Sequence, residues 1–176
     1  REMNQVYPTI EKEIGEPIYE VREFVRSGSR SPVSLEIRSG EIVGMFGLMG
    51  AGRTELLSSL FGAEPSEGGE ILVRGKALTR PTPTRCIREG IAYVTENRRQ
   101  EGLIMPKTIE ENVTMVVLDR MTGALGVVDR SREKRTALDL VKKLTVKTSD
   151  PQRQFVKNLS GGNQQKVVIA KWVASE

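Results

Sequence analysis

Between residues 42 and 61 the hydrophobic period of the chain changes across a run of glycines, and few folds accommodate such a change. Ile42–Phe46 is nearly all apolar, the pattern of a strand covered on both faces. Gly47-Leu48-Met49-Gly50-Ala51-Gly52-Arg53-Thr54 follows. From Thr54 onward Leu56, Leu57, Leu60 and Phe61 recur on one helical face, and Gly62 is a good terminator. A backbone that must curl around phosphate oxygens needs glycine, so that side chains stay out of the way. Successive N–H groups then converge as a nest, and the helix behind adds its positive end. The frame G-x-x-x-x-G-[K/R]-T is that of a phosphate loop, with the Thr54 hydroxyl placed to ligand Mg²⁺. Arg53 stands where the strict motif has Lys; it keeps the charge but is bulkier and planar, which alters the contact with a terminal phosphate. Taken alone, the loop leaves open a glycine-rich turn that binds nothing.

The flanks fit an α/β chain. Pro17–Arg26 alternates, with Ile18, Glu20, Arg22 and Phe24 on one side and Tyr19, Val21, Glu23 and Val25 on the other, its buried face undecided. Val33–Arg38 alternates as a half-buried strand, and Ser39-Gly40 turns the chain toward Ile42 as a hairpin. Ser66–Gly69 reads as a loop, Glu70–Val73 as a short strand and Arg74-Gly75 as a tight turn. Thr82 caps a helix with Pro83 at its first position and Gly90 past its end, and Ile91–Val94 is a further apolar strand. The remainder is helical. Thr108 and Glu111 have capping-box spacing ahead of the inward Ile109, Val113, Val116 and Val117. Asp129 or Ser131 opens a helix carrying Ala137, Leu140, Val141 and Leu144, Asp150-Pro151 breaks it, and a last helix runs from about Gly161 into Trp172.

Composition narrows the chemistry. No apolar run approaches the roughly 20 residues that span a bilayer, which argues against direct membrane insertion. With no histidine, the usual general base and any Cys/His zinc site are excluded. Cys86 is the single cysteine, so no internal disulfide forms, and a small buried side chain is its expected role. A net charge of +4 with 5% aromatics, and no dense basic cluster, argues against nucleic acid as a partner. Trp172 and Tyr93 read as core, and Tyr19 as a sheet side chain.

A second glycine pair lies in Leu159-Ser160-Gly161-Gly162-Asn163-Gln164-Gln165-Lys166. Ser160 can serve as an N-cap and hydroxyl donor, while Gly161 and Gly162 bare the first N–H groups of the last helix, which makes a second anion site. Joined to the phosphate loop upstream, this segment resembles the L-S-G-G-Q signature of ATP-binding-cassette ATPases, with Asn163 at the usual Gln position. Gly40–Gly44, Gly47–Thr54, Gly90–Arg98, Glu101-Gly102-Leu103 and Leu159–Trp172 together look like the second, C-terminal cassette of bacterial monosaccharide importers of the ribose, galactose and xylose type.

The resemblance implies a P-loop NTPase of the ABC type. An antiparallel β subdomain and a partial mixed or parallel core sheet would accompany a helical subdomain, incomplete at the C-terminus. It divides the chain into an inter-cassette linker (1–16), a nucleotide-binding core (17–106), a helical subdomain (107–158) and the signature with its helix (159–176). It implies ATP and Mg²⁺ as cofactors, the first cassette of the same polypeptide or a second copy as partner, and a membrane permease docked on the helical subdomain. It implies a cytoplasmic location, peripheral on the inner face of the bacterial membrane. Glu96 takes the place of the family's Q-loop glutamine. A carboxylate there is either a further Mg²⁺ contact or a solvated acidic residue near Arg98 and Arg99, and both readings stay open. Phe24 is the nearest candidate for the family's adenine-stacking aromatic.

The chain stops at Glu176, before the strand that would supply the catalytic Asp-Glu pair and before the switch histidine, so no catalytic residue is assigned and the fragment alone is expected to bind ATP without hydrolysing it. A DNA- or ribosome-acting cassette would need basic arms or coiled-coil insertions, and a GTPase would need an Asn-Lys-x-Asp segment; neither is present. A non-catalytic nucleotide-sensing or dimerisation module remains the alternative that Arg53 and Glu96 favour.

Overall fold

A computed structural model describes residues 13–123 and 126–175, so the linker reading of 1–16 lies largely outside the described residues. The chain forms two compact units that divide between Arg85 and Cys86.

The first unit is built on an antiparallel sheet of order β2-β1-β3-β4, formed by β1 (Pro17–Arg26), β2 (Val33–Arg38), β3 (Ser66–Val73) and β4 (Lys76–Ala77). Val21 pairs with Leu35 on one side and Ile71 on the other, so β1 is central. The structure resolves which face of β1 is buried, and the answer is both phases of the alternation: Val21 is 1% and Phe24 2% exposed. A bulge between Val21 and Phe24 explains this. Glu23 sits at φ +46°, its N–H donates to Ser34 Oγ at 2.9 Å, and the extra residue flips the pleat. Phe24 therefore lies in the core, and the expectation that it stacks on adenine is corrected. Burying a side chain of this kind contributes ~1.5–3 kcal/mol, which outweighs the strain of one bulge.

β3 begins at Ser66, where a loop was expected, because Gly69 at φ +93° lets its backbone close on β1; a Cβ there would collide with the Phe24 backbone. Arg74 (φ +48°) and Gly75 (φ +75°) form the tight turn into β4, with both residues in the region a type I′ hairpin requires. Helix α1 (Arg53–Leu60) packs on β1 through its buried Leu56 and Leu60. It ends in a Schellman motif, in which Ala63 N–H donates to Ser58 O and Gly62 N–H, at φ +74°, to Ser59 O. Leu57, expected on the inner face, is half in solvent.

Two expected strands do not form. Ile42–Phe46 joins no ladder among the described residues, with Ile42 96% and Phe46 94% exposed, and Ile91–Val94 likewise pairs with no strand. An apolar strand is stable only with partners on its edges and cover on its faces, and the sheet of the first unit offers neither to Ile42–Phe46. The Ser39-Gly40 turn does form, closed by Glu41 Oε2 accepting from Arg38 N at 2.7 Å, but no hairpin follows it.

Helix α2 (Pro83–Arg88) straddles the division; Thr82 Oγ1 accepts from Arg85 N, and Gly90 at φ +80° ends it in a second Schellman turn. The second unit is helical: α3 (Ile109–Thr114), α4 (Arg130–Lys143) and α5 (Gly161–Val173) pack together around Ile109, Val113, Ala137, Val167 and Val168. Thr108 and Glu111 make the full capping box ahead of α3. The helix tightens into a 3₁₀ segment over Met115–Met121, where Thr114, Val116 and Val117 cluster β-branched residues that resist α-helical χ1 angles. Asp129, not Ser131, caps α4, accepting from Ser131 N and Arg132 N at 3.0 Å. Cys86 is fully buried, and burial pushes its thiol up to about 11. Trp172 is buried and Tyr93 half-buried.

Candidate functional site

In the first unit, Gly47-Leu48-Met49-Gly50-Ala51-Gly52-Arg53-Thr54 is curled rather than extended. Gly50 at φ +81° and Gly52 at φ +78° occupy the left-handed region, and Ala51 N–H donates to Leu48 O at 3.1 Å. Gly52 is the N-cap of α1 and supplies no side-chain cap, so among the described residues no N-cap side chain pairs with the N–H groups at the start of the helix. The space around the Gly50 α-carbon is open. A Gly47 Cβ would stand 3.7 Å from Arg53 Cδ and 3.9 Å from Arg53 Nε, so the arginine stem folds back along the loop. Arg26, at the end of β1, reaches the same place: its Nη2 lies 3.0 Å from where a Gly52 Cβ would be. Sequence spacing gave no sign of Arg26. Its approach follows from the antiparallel path of β1, which ends beside the loop.

In the second unit, Leu159 is buried while Ser160 and Gly162 are exposed at the start of α5. Ser160 is the N-cap by position, but its side chain does not cap; Ser160 Oγ instead accepts from Asn163 Nδ2 at 3.0 Å, which leaves the O–H free to donate. That corrects the expected side-chain cap. Asn163 also accepts from Lys147 N at 3.0 Å, tying the signature to the preceding loop. Lys166 Nζ grips Thr145 through both O (2.8 Å) and Oγ1 (2.9 Å), and Thr145 is a β-branched residue held at φ +50°. Gln164 is fully buried, donates to Val156 O at 3.2 Å and accepts from Arg98 Nε at 3.4 Å. Sequence reasoning missed both bridges, because Asn163 and Gln164 meet residues distant in the chain.

Arg98 opens a π-helical turn, Arg98–Gly102, capped by Asn97. Glu96 just before it is exposed and makes no ion pair among the described residues. Thr54 is exposed on α1, so Thr54 and Glu96 belong to different units. A hydroxyl and a carboxylate are hard oxygen donors of the kind Mg²⁺ takes, alongside water and phosphate oxygens. Among the described residues no group of three or more Cys, Asp or Glu side chains would hold a metal ion by itself. Thr54 by itself offers one hydroxyl oxygen, so a Mg²⁺ ion held there would need its remaining ligands from water and phosphate.

Each unit therefore presents a helix that starts at a glycine without a side-chain cap bond, the first of them behind a curled glycine loop. The chain belongs to the ABC transporter family, whose model matches residues 31–176. It is 42% identical over 173 residues to the ribose import ATP-binding protein RbsA of Bacillus subtilis, covering 98% of this chain and 35% of that protein. A second ribose import protein, RbsA 2 of Streptomyces avermitilis, is 43% identical over 175 residues, with 99% and 34% covered. The chain thus spans about a third of the length of these relatives. Among solved structures, a nucleotide-free ATP-binding cassette from an ABC transporter superposes with TM-score 0.73 at 18% identity, covering 91% of this chain and 66% of that one. An ATP-binding cassette crystallised as a dimer with ADP and phosphate gives TM-score 0.71 at 21% identity, covering 90% and 70%. These likenesses establish the cassette fold. Among the described residues no helix is long and apolar enough to cross a membrane.

Proposed function

We propose that this chain is the nucleotide-binding part of a bacterial monosaccharide importer, the second cassette of a two-cassette ATPase. The observation that carries the reading is the curled loop at Gly50 and Gly52 behind an uncapped helix start, in a chain 42% identical to ribose import ATP-binding proteins. Gly47–Thr54 would hold the phosphates of ATP through backbone N–H groups, with Arg53 adding charge and Thr54 a hydroxyl toward Mg²⁺. When bound, the metal neutralises charge on the phosphates. Leu159–Gln164 would serve the nucleotide held by a partner cassette, with the Ser160 O–H and the Gly161 and Gly162 N–H groups as donors. The helical segment 107–158 is the surface offered to a membrane permease, which would place the protein on the cytoplasmic side of the membrane.

The described residues would supply a phosphate cradle and half a clamp, and on this reading the chain alone would bind Mg-ATP without turning it over. Measuring Mg-ATP affinity and phosphate release side by side, for this chain and for the full-length protein, tests the proposal. Micromolar binding by both with release only by the full-length protein supports it; no binding by either refutes it. Labelled pentose and hexose uptake in cells lacking the full-length gene then tests the import role. A second reading, a nucleotide-sensing or dimerisation module that binds but does not turn over, is favoured by Arg53 and Glu96. It predicts tight binding without release in the full-length protein as well.

A further inference from the structure

We propose that Arg98 is a nucleotide-contacting residue of the signature side: it reaches the terminal phosphate that a partner cassette presents to Ser160, Gly161 and Gly162. The inference rests on the nucleotide-binding reading above and adds a residue to it. The first observation is position. A Cβ placed at Gly161 would lie 2.8 Å from Arg98 Nη2, so the guanidinium stands directly at the first residue of α5 and a side chain there would push it aside.

The second observation is charge. The start of a 13-residue helix is its positive end, where a cation is disfavoured and an anion welcome. Arg98 nevertheless sits there without an ion pair among the described residues. Its one side-chain hydrogen bond among them is the long one from Nε to Gln164, which leaves its Nη donors for a ligand. A cation beside bare amides is an arrangement that an anion relieves, and a guanidinium matches phosphate oxygens two at a time.

The third observation is construction. The π-helical turn that carries Arg98 is a rare form that recurs at functional sites. It is pinned against α5: a Gly102 Cβ would lie 3.2 Å from Val168 Cγ2 and 3.1 Å from Thr95 Oγ1. Lys171 Nζ, buried, donates to Gly102 O at 2.7 Å. Gln164, itself fixed to Val156 O, holds the arginine from the other side. The fold thus aims a half-buried cation at the glycines, and the sequence gives it a flexible enough stem to follow a phosphate. A residue of this kind adds positive charge where charge develops during phosphoryl transfer.

The test compares Mg-ATP with Mg-ADP in the full-length protein, by calorimetric titration of wild type, Arg98→Ala and Arg98→Lys. Contact with the terminal phosphate predicts at least about a tenfold loss of ATP affinity in Arg98→Ala. ADP affinity should stay within about twofold, and Arg98→Lys should recover part of the loss. Equal losses for ATP and ADP would mark Arg98 as a structural strut and overturn the assignment, as would unchanged ATP affinity. Arg98→Gln, which keeps a donor for Gln164 without the charge, replaces the alanine variant if that one fails to fold, and the same ATP-selective loss is required of it. Wild-type protein that binds neither nucleotide overturns the underlying reading as well, whereas wild-type binding with an unaltered Arg98→Ala overturns this assignment alone.

Discussion

Replacing Gly52 with Ala adds one methyl group at a residue held at φ +78°. A non-glycine residue in the left-handed region costs about 1–2 kcal/mol. The new Cβ would lie 3.0 Å from Arg26 Nη2, the far end of a flexible side chain that can swing aside, so the steric part is small and the backbone part dominates. The residues on either side of Gly52 are exposed, and the free protein can relax out of the curl. The strain therefore falls on binding, which must restore the curl, and lowers apparent affinity by the population of the competent loop. About 1–2 kcal/mol corresponds to roughly 5- to 30-fold weaker Mg-ATP binding. Gly50→Ala is the matched control: φ is +81° and nothing stands near its Cβ, so it carries the same backbone cost without touching Arg26. The difference between the two variants reads the contribution of Arg26. Gly62→Ala, whose Cβ would collide with the Pro81 backbone, should lower thermal stability without this selective effect on affinity. Titration of the full-length protein with a fluorescent ATP analogue, beside thermal unfolding, provides both readouts. A Gly52→Ala protein with wild-type affinity and unchanged melting would refute the claim that this loop grips phosphate.

Other perturbations reach the helical unit. Burial, and then the neighbouring Glu133, raise the Glu110 carboxyl above its ordinary range, and its Oε2 is buried without a hydrogen-bond partner. Because the folded pKa lies above the unfolded one, stability is lost as pH rises through it. Glu110→Gln should thus raise the melting temperature at pH 7–8, by a margin that shrinks toward pH 4. The Cys86 thiol, held at about 11, should resist a maleimide at pH 8 in the native protein and react only on unfolding; prompt native labelling would contradict its burial. Asn112 is fully buried, accepts from Ile104 N at 2.8 Å and donates to Ile104 O and Thr108 O at 3.1 and 2.9 Å. Truncation to Ala should destabilise by about 2–3 kcal/mol, one net hydrogen bond at a time, and urea unfolding showing under 1 kcal/mol would reject that count.

Local signals in the sequence were reliable where short-range chemistry decides the outcome. The Thr108–Glu111 capping box, the Arg74-Gly75 turn and the glycine stops at Gly62 and Gly90 are each set by residues a few positions apart. Alternation along β1 could not identify its buried face, because the bulge at Glu23 changes phase in mid-strand. Ile42–Phe46 and Ile91–Val94 were read as strands from apolarity alone, yet a ladder depends on partners that no single segment encodes. The same limit applies at the site. The frames Gly47–Thr54 and Leu159–Gln164 were visible as glycine spacings, whereas Arg26, Arg98 and the Lys147 bridge are long-range meetings that only the folded chain brings about.

The loop after α4 is fastened to α5 twice, at Lys147 through Asn163 and at Thr145 through Lys166. Both fastenings lie within the first two turns of α5, and Leu144, the C-cap of α4, immediately precedes them. The tail of one helix and the exposed amides of the other are in effect one stiff piece. A force that tilts α4 arrives at Gly161 and Gly162 as a displacement, with little slack to absorb it on the way.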